Sequence, residues 1–298
     1  MAHAYPANMT RIYLFPGQGS QKAGMGAEFF PRFPEQVAIA DAELGYSIAD
    51  LCLRDPSNRL NQTQFTQPAL FVVNALTFLN RLLETGELPR FVAGHSLGEY
   101  NALFAAGVFD LRTGVRVVKQ RADLMARASG GGMAAVIGLT ADRIRQVLAS
   151  AGLDSLDLAN LNALNQTVIS GPEDELLKSQ AVLERAGAQL FKRLPVSAAF
   201  HSRYMAEAER AFESFLESCE FAAPRIPIVA NVTARPHEPG QIKKVLASQI
   251  TRPVRWVEST QWLLQQPDPE FVELGPGNVL TGLIRRIRME TNTPAGPR

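Results

Sequence analysis

Short apolar runs recur along the chain: RIYLF at 11–15, FVA at 91–93, IPIVAN at 226–231 and FVEL at 271–274. Between them lie longer segments whose apolar residues return at helical spacing. Strand-length runs alternating with helical segments predict an α/β architecture, a mainly parallel sheet flanked by helices. The middle of the chain has a different rhythm. After Gly130-Gly131-Gly132 come MAAVIGL (strand), TADRIRQVLASAG (helix, capped by Thr140), LDLANLN and QTVISG (strands), PEDELLKSQAVLERAG (helix, opened by Pro172) and QLFKRLPV (strand). The order βαββαβ is ferredoxin-like and has the length of a small inserted domain. The expected division is a large domain of residues 1–131 and 199–298 carrying a small domain of residues 132–198, with the cleft between them as the natural ligand site.

Composition adds limits. The 298 residues, 46% apolar and 20% charged, suffice for about two ordinary domains. A formal charge of +1 gives no global attraction to nucleic acid or to an anionic membrane, so any basic site must be local. Cys52 and Cys219 are too few for a disulfide framework and form no C-x-x-C pair, which points to a reducing cytoplasm. The start MAHAYPANMT lacks the pattern of a signal peptide, and the longest apolar stretch, PALFVVNALTFL, is interrupted by Asn74. No membrane span is expected, and the tail ETNTPAGPR is expected to fray.

The chemistry concentrates in FVAGHSLGEYNALFAAG. Gly94-His95-Ser96-Leu97-Gly98 fits G-x-S-x-G, the elbow in which a strained strand-to-helix turn lifts a serine hydroxyl clear of the backbone. A serine needs a base within hydrogen-bond reach. Of four histidines, His3 lies in the N-terminal tail, His95 is fixed inside the elbow and His237 sits in the turn RPHEPGQ. That leaves His201, placed in AAFHS where the small domain returns to the large one. What orients it stays open, an acidic residue or a backbone carbonyl. The second glycine-rich stretch, FPGQGSQKAGMG, fits neither the dinucleotide nor the P-loop spacing. It can instead supply an oxyanion-hole N–H, from Gln18, to pair with that of Leu97.

In the segment LRTGVRVVKQRADLMARA, Arg121 falls within the apolar stripe of Val117, Val118, Leu124, Met125 and Ala128. An inward guanidinium needs an anion, either an internal Asp or Glu or the carboxylate of a substrate. Its helix follows the elbow helix directly, which favours the second reading.

Together, FPGQGSQ, TQPALF, GHSLGEYNALFAAG, RADLM, NQTVISG, AAFHS, ANVTARP, TRPVRW and ELGPGNVLTGL resemble the malonyl-CoA:acyl carrier protein transacylases, in order and from about Arg11 to Ile287. Within them the chain is most similar to the discrete, trans-acting acyltransferases of polyketide synthases, such as the disorazole synthase acyltransferase. The resemblance implies an α/β-hydrolase-like large domain, no metal or redox cofactor, and malonyl-CoA and an acyl carrier protein as partners. It implies Ser96 as nucleophile, His201 as base, Gln18 and Leu97 as oxyanion donors and Arg121 as holder of the malonyl carboxylate. Gln249 matches the residue whose carbonyl orients the histidine, and Gln67 and Asn162 match further pocket positions. Phe200 matches the malonyl-selecting pattern; many members serving fatty acid synthesis carry a smaller residue there. Competing expectations are an acyl hydrolase that uses water as acceptor, a fatty-acid malonyltransferase, and an idle carrier-binding module. Arg285, Arg286 and Arg288, with Arg252, Arg255, Lys243 and Lys244, are candidate contacts for an acidic carrier.

Overall fold

A computed structural model describes residues 9–196 and 198–292. His3 and residues 293–298 of the tail lie outside them. The first strand, β1 (Thr10–Phe15), leads through a glycine-rich loop to α1 (Pro34–Leu44), α2 (Ile48–Leu53) and the long α3 (Thr63–Thr85). Strand β2 (Phe91–Gly94) runs into α4 (Gly98–Ala105) and then α5 (Leu111–Ala126). The insert follows: β3 (Gly131–Ile137), α6 (Ala141–Ser150), β4 (Asp157–Ala163), β5 (Gln166–Pro172), α7 (Glu173–Arg185) and β6 (Leu190–Arg193). The chain closes with α8 (Ala206–Glu217), β7 (Ile228–Val229), α9 (Ile242–Gln249), α10 (Trp256–Leu264), β8 (Pro269–Glu273) and α11 (Val279–Asn292).

Two sheets result. The first is parallel, ordered β7-β2-β1-β8, and the second antiparallel, ordered β4-β5-β3-β6, the ferredoxin-like arrangement. Alternation in β1 explains why Ile12 to Phe15 are hydrophobic without a break. Tyr13 and Phe15 join the core beneath α3, α4, α5 and α8, while Ile12 and Leu14 join a second core with Trp256, Val257, Leu283 and Ile287 of α10 and α11. A strand covered on both faces has no polar side to show. One face of the antiparallel sheet, with Ala134, Val136 and Ile169, packs on α6 and α7 through Ile144, Leu148, Leu176 and Leu183. Its other face sends Met133, Ala159 and Val168 into the main core. Thr140 accepts a hydrogen bond from the Arg143 N–H and so caps α6.

Strand β4 also stitches the insert to the rest of the chain. Leu161 N–H donates to Val254 O at 2.9 Å and Val254 N–H to Ala159 O at 2.8 Å, a short parallel bridge between β4 and the segment ahead of α10. Where IPIVAN predicts a full strand, β7 pairs over two residues only. Beyond Val229 the chain folds back, with Ala230 N–H donating to Arg235 O and Ala234 N–H to Ala230 O, and this turn carries Asn231 beneath the β2–α4 elbow. Among the described residues no helix is long and apolar enough to cross a membrane.

Candidate active site

The elbow stands at the carboxyl end of β2, level with the end of β1, because Phe15 pairs with Gly94. Ser96 has φ 51°, in the left-handed region where a side chain costs energy. That strain is held by close packing. A Cβ at Gly98 would collide with the Phe15 carbonyl, and one at Gly17 with the His95 carbonyl, so the β1 loop and the elbow approach as only glycine permits. Asn231 ties the turn from below, its Oδ1 accepting from Ser96 N–H and its Nδ2 donating to Gly94 O, both at 2.7 Å. The loop contact sets Gly17, the residue before Gln18, against the backbone nitrogen of Leu97, so the N–H groups of Gln18 and Leu97 are the pair in question. Among the described residues neither backbone N–H donates to another group, as an oxyanion hole requires.

Ser96 and His201 lie 105 positions apart in sequence, and the structure joins them. Ser96 Oγ sits 2.8 Å from His201 Nε2, and His201 Nδ1 sits 2.8 Å from the Gln249 carbonyl oxygen. A carbonyl only accepts, so Nδ1 carries the proton and Nε2 presents its lone pair to the serine hydroxyl. His201 is itself at φ 56° and buried. Burial, followed by the field of the Arg121 cation, lowers its imidazole from the ordinary value of 6.5 to about 3, so the base is neutral. His95, beside Ser96, is occupied: its Nε2 meets Asn162 Oδ1 at 2.8 Å, its ring lies against Trp256, and burial lowers its pKa too. Asn162, on β4, thereby links the insert to the elbow.

Arg121 is 1% exposed and makes no ion pair with any carboxylate among the described residues. Its Nη1 donates to Gln67 Oε1 at 2.6 Å; its Nη2 donates to Gln249 Oε1 at 2.9 Å and to Ser96 Oγ at 3.2 Å. Tyr100 lies 5.2 Å below the guanidinium, and the buried Nε has no partner. Neutral amides thus position the cation without neutralising it. Of the two sequence readings, an internal acid in direct contact is the one the structure lacks. Gln67 reaches the site from α3, where its Nε2 also touches Met125 Sδ. Phe200 is buried in the main core immediately before the histidine.

Sequence reasoning set His237 aside and did not consider Glu99. Both are buried here. Glu99 Oε1 meets His237 Nε2 at 2.7 Å, and Glu99 Oε2 accepts from Gln249 Nε2 at 2.6 Å and from Asn231 N–H at 3.2 Å. The usable signal was local: α4 is buried along nearly its whole length, so its polar residues Glu99 and Asn101 had to find internal partners. Asn101 bonds Phe71 O and Asn74. Among the described residues no cluster of His, Cys, Asp and Glu could hold a metal.

The cleft that reaches His201 has a volume near 540 Å³, and Arg145, Arg203 and Arg252 lie along it with Asp157 and Glu209. Arg203 pairs with Asp157, and Arg145 with Asp142. Of the other candidate docking cations, Arg255 pairs with Glu258, Arg286 donates to Gln166, Arg288 lies over Phe271 and Lys243 over Phe221.

Residues 12–293 match the acyl transferase domain family. BaeC of Bacillus velezensis, named a polyketide biosynthesis malonyl CoA-acyl carrier protein transacylase, is 51% identical over 94% of this chain and 97% of its own length. ThaF of Burkholderia thailandensis, a polyketide biosynthesis protein, is 51% identical over 92% of this chain, which spans 24% of that longer protein. A crystal structure of a malonyl CoA-acyl carrier protein transacylase from Burkholderia pseudomallei superposes with TM-score 0.92 at 48% identity, covering 96% of this chain and 100% of that one. With an elbow serine paired to a neutral histidine and matches of this extent, the chain belongs to the acyl transferase domain family, alongside the malonyl-CoA:acyl carrier protein transacylases.

Proposed function

We propose that the protein transfers a malonyl group from malonyl-CoA to the phosphopantetheine thiol of an acyl carrier protein, in trans for a polyketide synthase. The carrying observation is Arg121, a buried guanidinium held by amides 3.2 Å from Ser96 Oγ, with no acid among the described residues neutralising it at contact. Its open donors suit a carboxylate on the acyl group, which the malonyl unit has and simple acyl chains lack.

In the first half-reaction the Ser96 hydroxyl attacks the thioester carbonyl while His201 Nε2 takes its proton. The N–H groups of Gln18 and Leu97 hold the oxyanion. Collapse expels the CoA sulfur, to which His201 returns the proton, and leaves a malonyl ester on Ser96. In the second half, the carrier's thiol gives its proton to His201 and attacks that ester; the Ser96 oxygen leaves and regains the proton. The Gln249 carbonyl stabilises the imidazolium formed in each half. This chemistry calls for no metal or redox cofactor. Phe200 narrows the pocket near the histidine, so methylmalonyl is disfavoured, by about 1–3 kcal/mol for one missing methyl pocket.

The same reading assigns residues 1–131 and 199–298 to catalysis and residues 132–198 to a small domain that closes one side of the cleft. It places the protein in the cytoplasm, consistent with two free, buried thiols, Cys52 and Cys219.

Intact-protein mass spectrometry tests it. Malonyl-CoA should give a malonyl adduct that Ser96→Ala abolishes and a carrier protein discharges. An adduct that vanishes as fast without carrier as with it would instead mark a hydrolase.

A further inference from the structure

The Gln249 side chain makes three hydrogen bonds at the site, and the pattern has a direction. Its Oε1 faces Arg121 Nη2 at 2.9 Å; its Nε2 donates to Ser96 O at 3.1 Å and to Glu99 Oε2 at 2.6 Å. An amide turned end for end would present NH2 to the guanidinium and carbonyl oxygen to two acceptors. What prevents the turn is an acceptor-only group on the far side. Glu99 is that group, fully buried, with Oε2 also accepting from Asn231 N–H and Oε1 engaged by His237 Nε2. Its carboxylate takes three donors, two from the turn after β7 and one from the end of α9, and points none of its oxygens at Arg121 directly.

We infer that Glu99, clamped by His237, is a positioning residue for acyl-group selection: its carboxylate fixes the Gln249 amide, which holds Arg121 against Ser96 in the orientation that receives a carboxylated acyl group. The inference rests on the reading of Arg121 as the partner of the malonyl carboxylate. His237 Nε2 carries the proton toward the Glu99 carboxylate, and Nδ1 is buried without a partner among the described residues, so the ring can move that proton to Nδ1 where residue 99 donates instead. The clamp is therefore a matter of direction in a hydrogen-bond chain. A group that still accepts toward Gln249 and donates toward His237 preserves it.

The test is a competition at the first turnover. The full chain is mixed with equal malonyl-CoA and acetyl-CoA, and the ratio of malonyl to acetyl adduct on Ser96 is read by intact-protein mass spectrometry. Glu99→Leu should lower that ratio about tenfold and His237→Leu about fivefold. Glu99→Gln should keep the parent ratio, its amide oxygen facing Gln249 and its NH2 facing His237. If malonyl and acetyl adducts fall together in variants that fold by circular dichroism, or if the ratio does not move, the inference is overturned. Should both leucine variants fail to fold, His237→Ala decides by the same ratio. Arg121→Ala in the same assay keeps the two claims apart. A ratio lost there and kept in the Glu99 and His237 variants removes the positioning role alone, whereas a ratio kept in Arg121→Ala removes the reading on which it rests.

Discussion

At the scale of single residues the site depends on one imidazole remaining neutral beside one cation that remains charged. Because the His201 pKa is lowered to about 3 in the folded protein, below about pH 6.5 the unfolded chain binds a proton there that the folded chain refuses. The sign follows: this group's contribution to stability is undiminished above 6.5 and declines as pH falls from 6.5 toward 3, with His95 acting in the same direction. For activity, the rate of Ser96 acylation should show no histidine limb between about pH 5 and 7, and a limb near the ordinary histidine value would refute the neutral-base assignment. On the proposed reading, a carboxylate seated on Arg121 would offset the second cause of the shift and raise the basicity of His201. Arg121→Lys keeps the charge and loses the planar fork; kcat/KM for malonyl-CoA should fall by about 10- to 100-fold in a steady-state transfer assay. Ser96, His201 and Arg121 were legible from sequence because each violates a local rule: a serine between glycines, a histidine at a chain return, a cation on an apolar stripe. Glu99 and His237 were not, since a carboxylate in a helix and an imidazole in a turn usually face water, and only the packing of α4 buries them.

Elements decide whether those residues meet. The β2–α4 turn works only because the β1 loop lies against it without a side chain between. Gly98→Ala drives a Cβ into the Phe15 carbonyl, backbone that has nowhere to yield, and should cost about 3 kcal/mol or more of stability in denaturant titration, with acylation lost alongside. The alternating elements, the ferredoxin-like insert and the Thr140 cap were readable from apolar spacing and turn chemistry. The short β7 was not. IPIVAN has the composition of a strand, but the chain leaves the sheet after Val229 so that Asn231 can tie Ser96 and Gly94, and a demand of that kind comes from the site and leaves no mark in periodicity.

For the whole molecule, the cleft is where two sheets are made to share one chemistry. Asn162 of the insert holds His95 of the elbow, so Asn162→Ala should slow acylation about tenfold while leaving the antiparallel sheet intact by circular dichroism. Along the same cleft, Arg145 and Arg203 are paired to acids, whereas Arg252 makes no ion pair among the described residues and is the candidate docking cation that lines the cleft. Arg252→Glu should raise the KM for an acidic carrier, with the difference shrinking as salt is added. The bridge between β4 and Val254 has a broader meaning. Any swing of the insert away from the parallel-sheet half would have to break both of these bonds, so a slot of fixed width is the expected geometry, and amide exchange at Leu161 and Val254 should be equally slow in the empty and the malonylated protein.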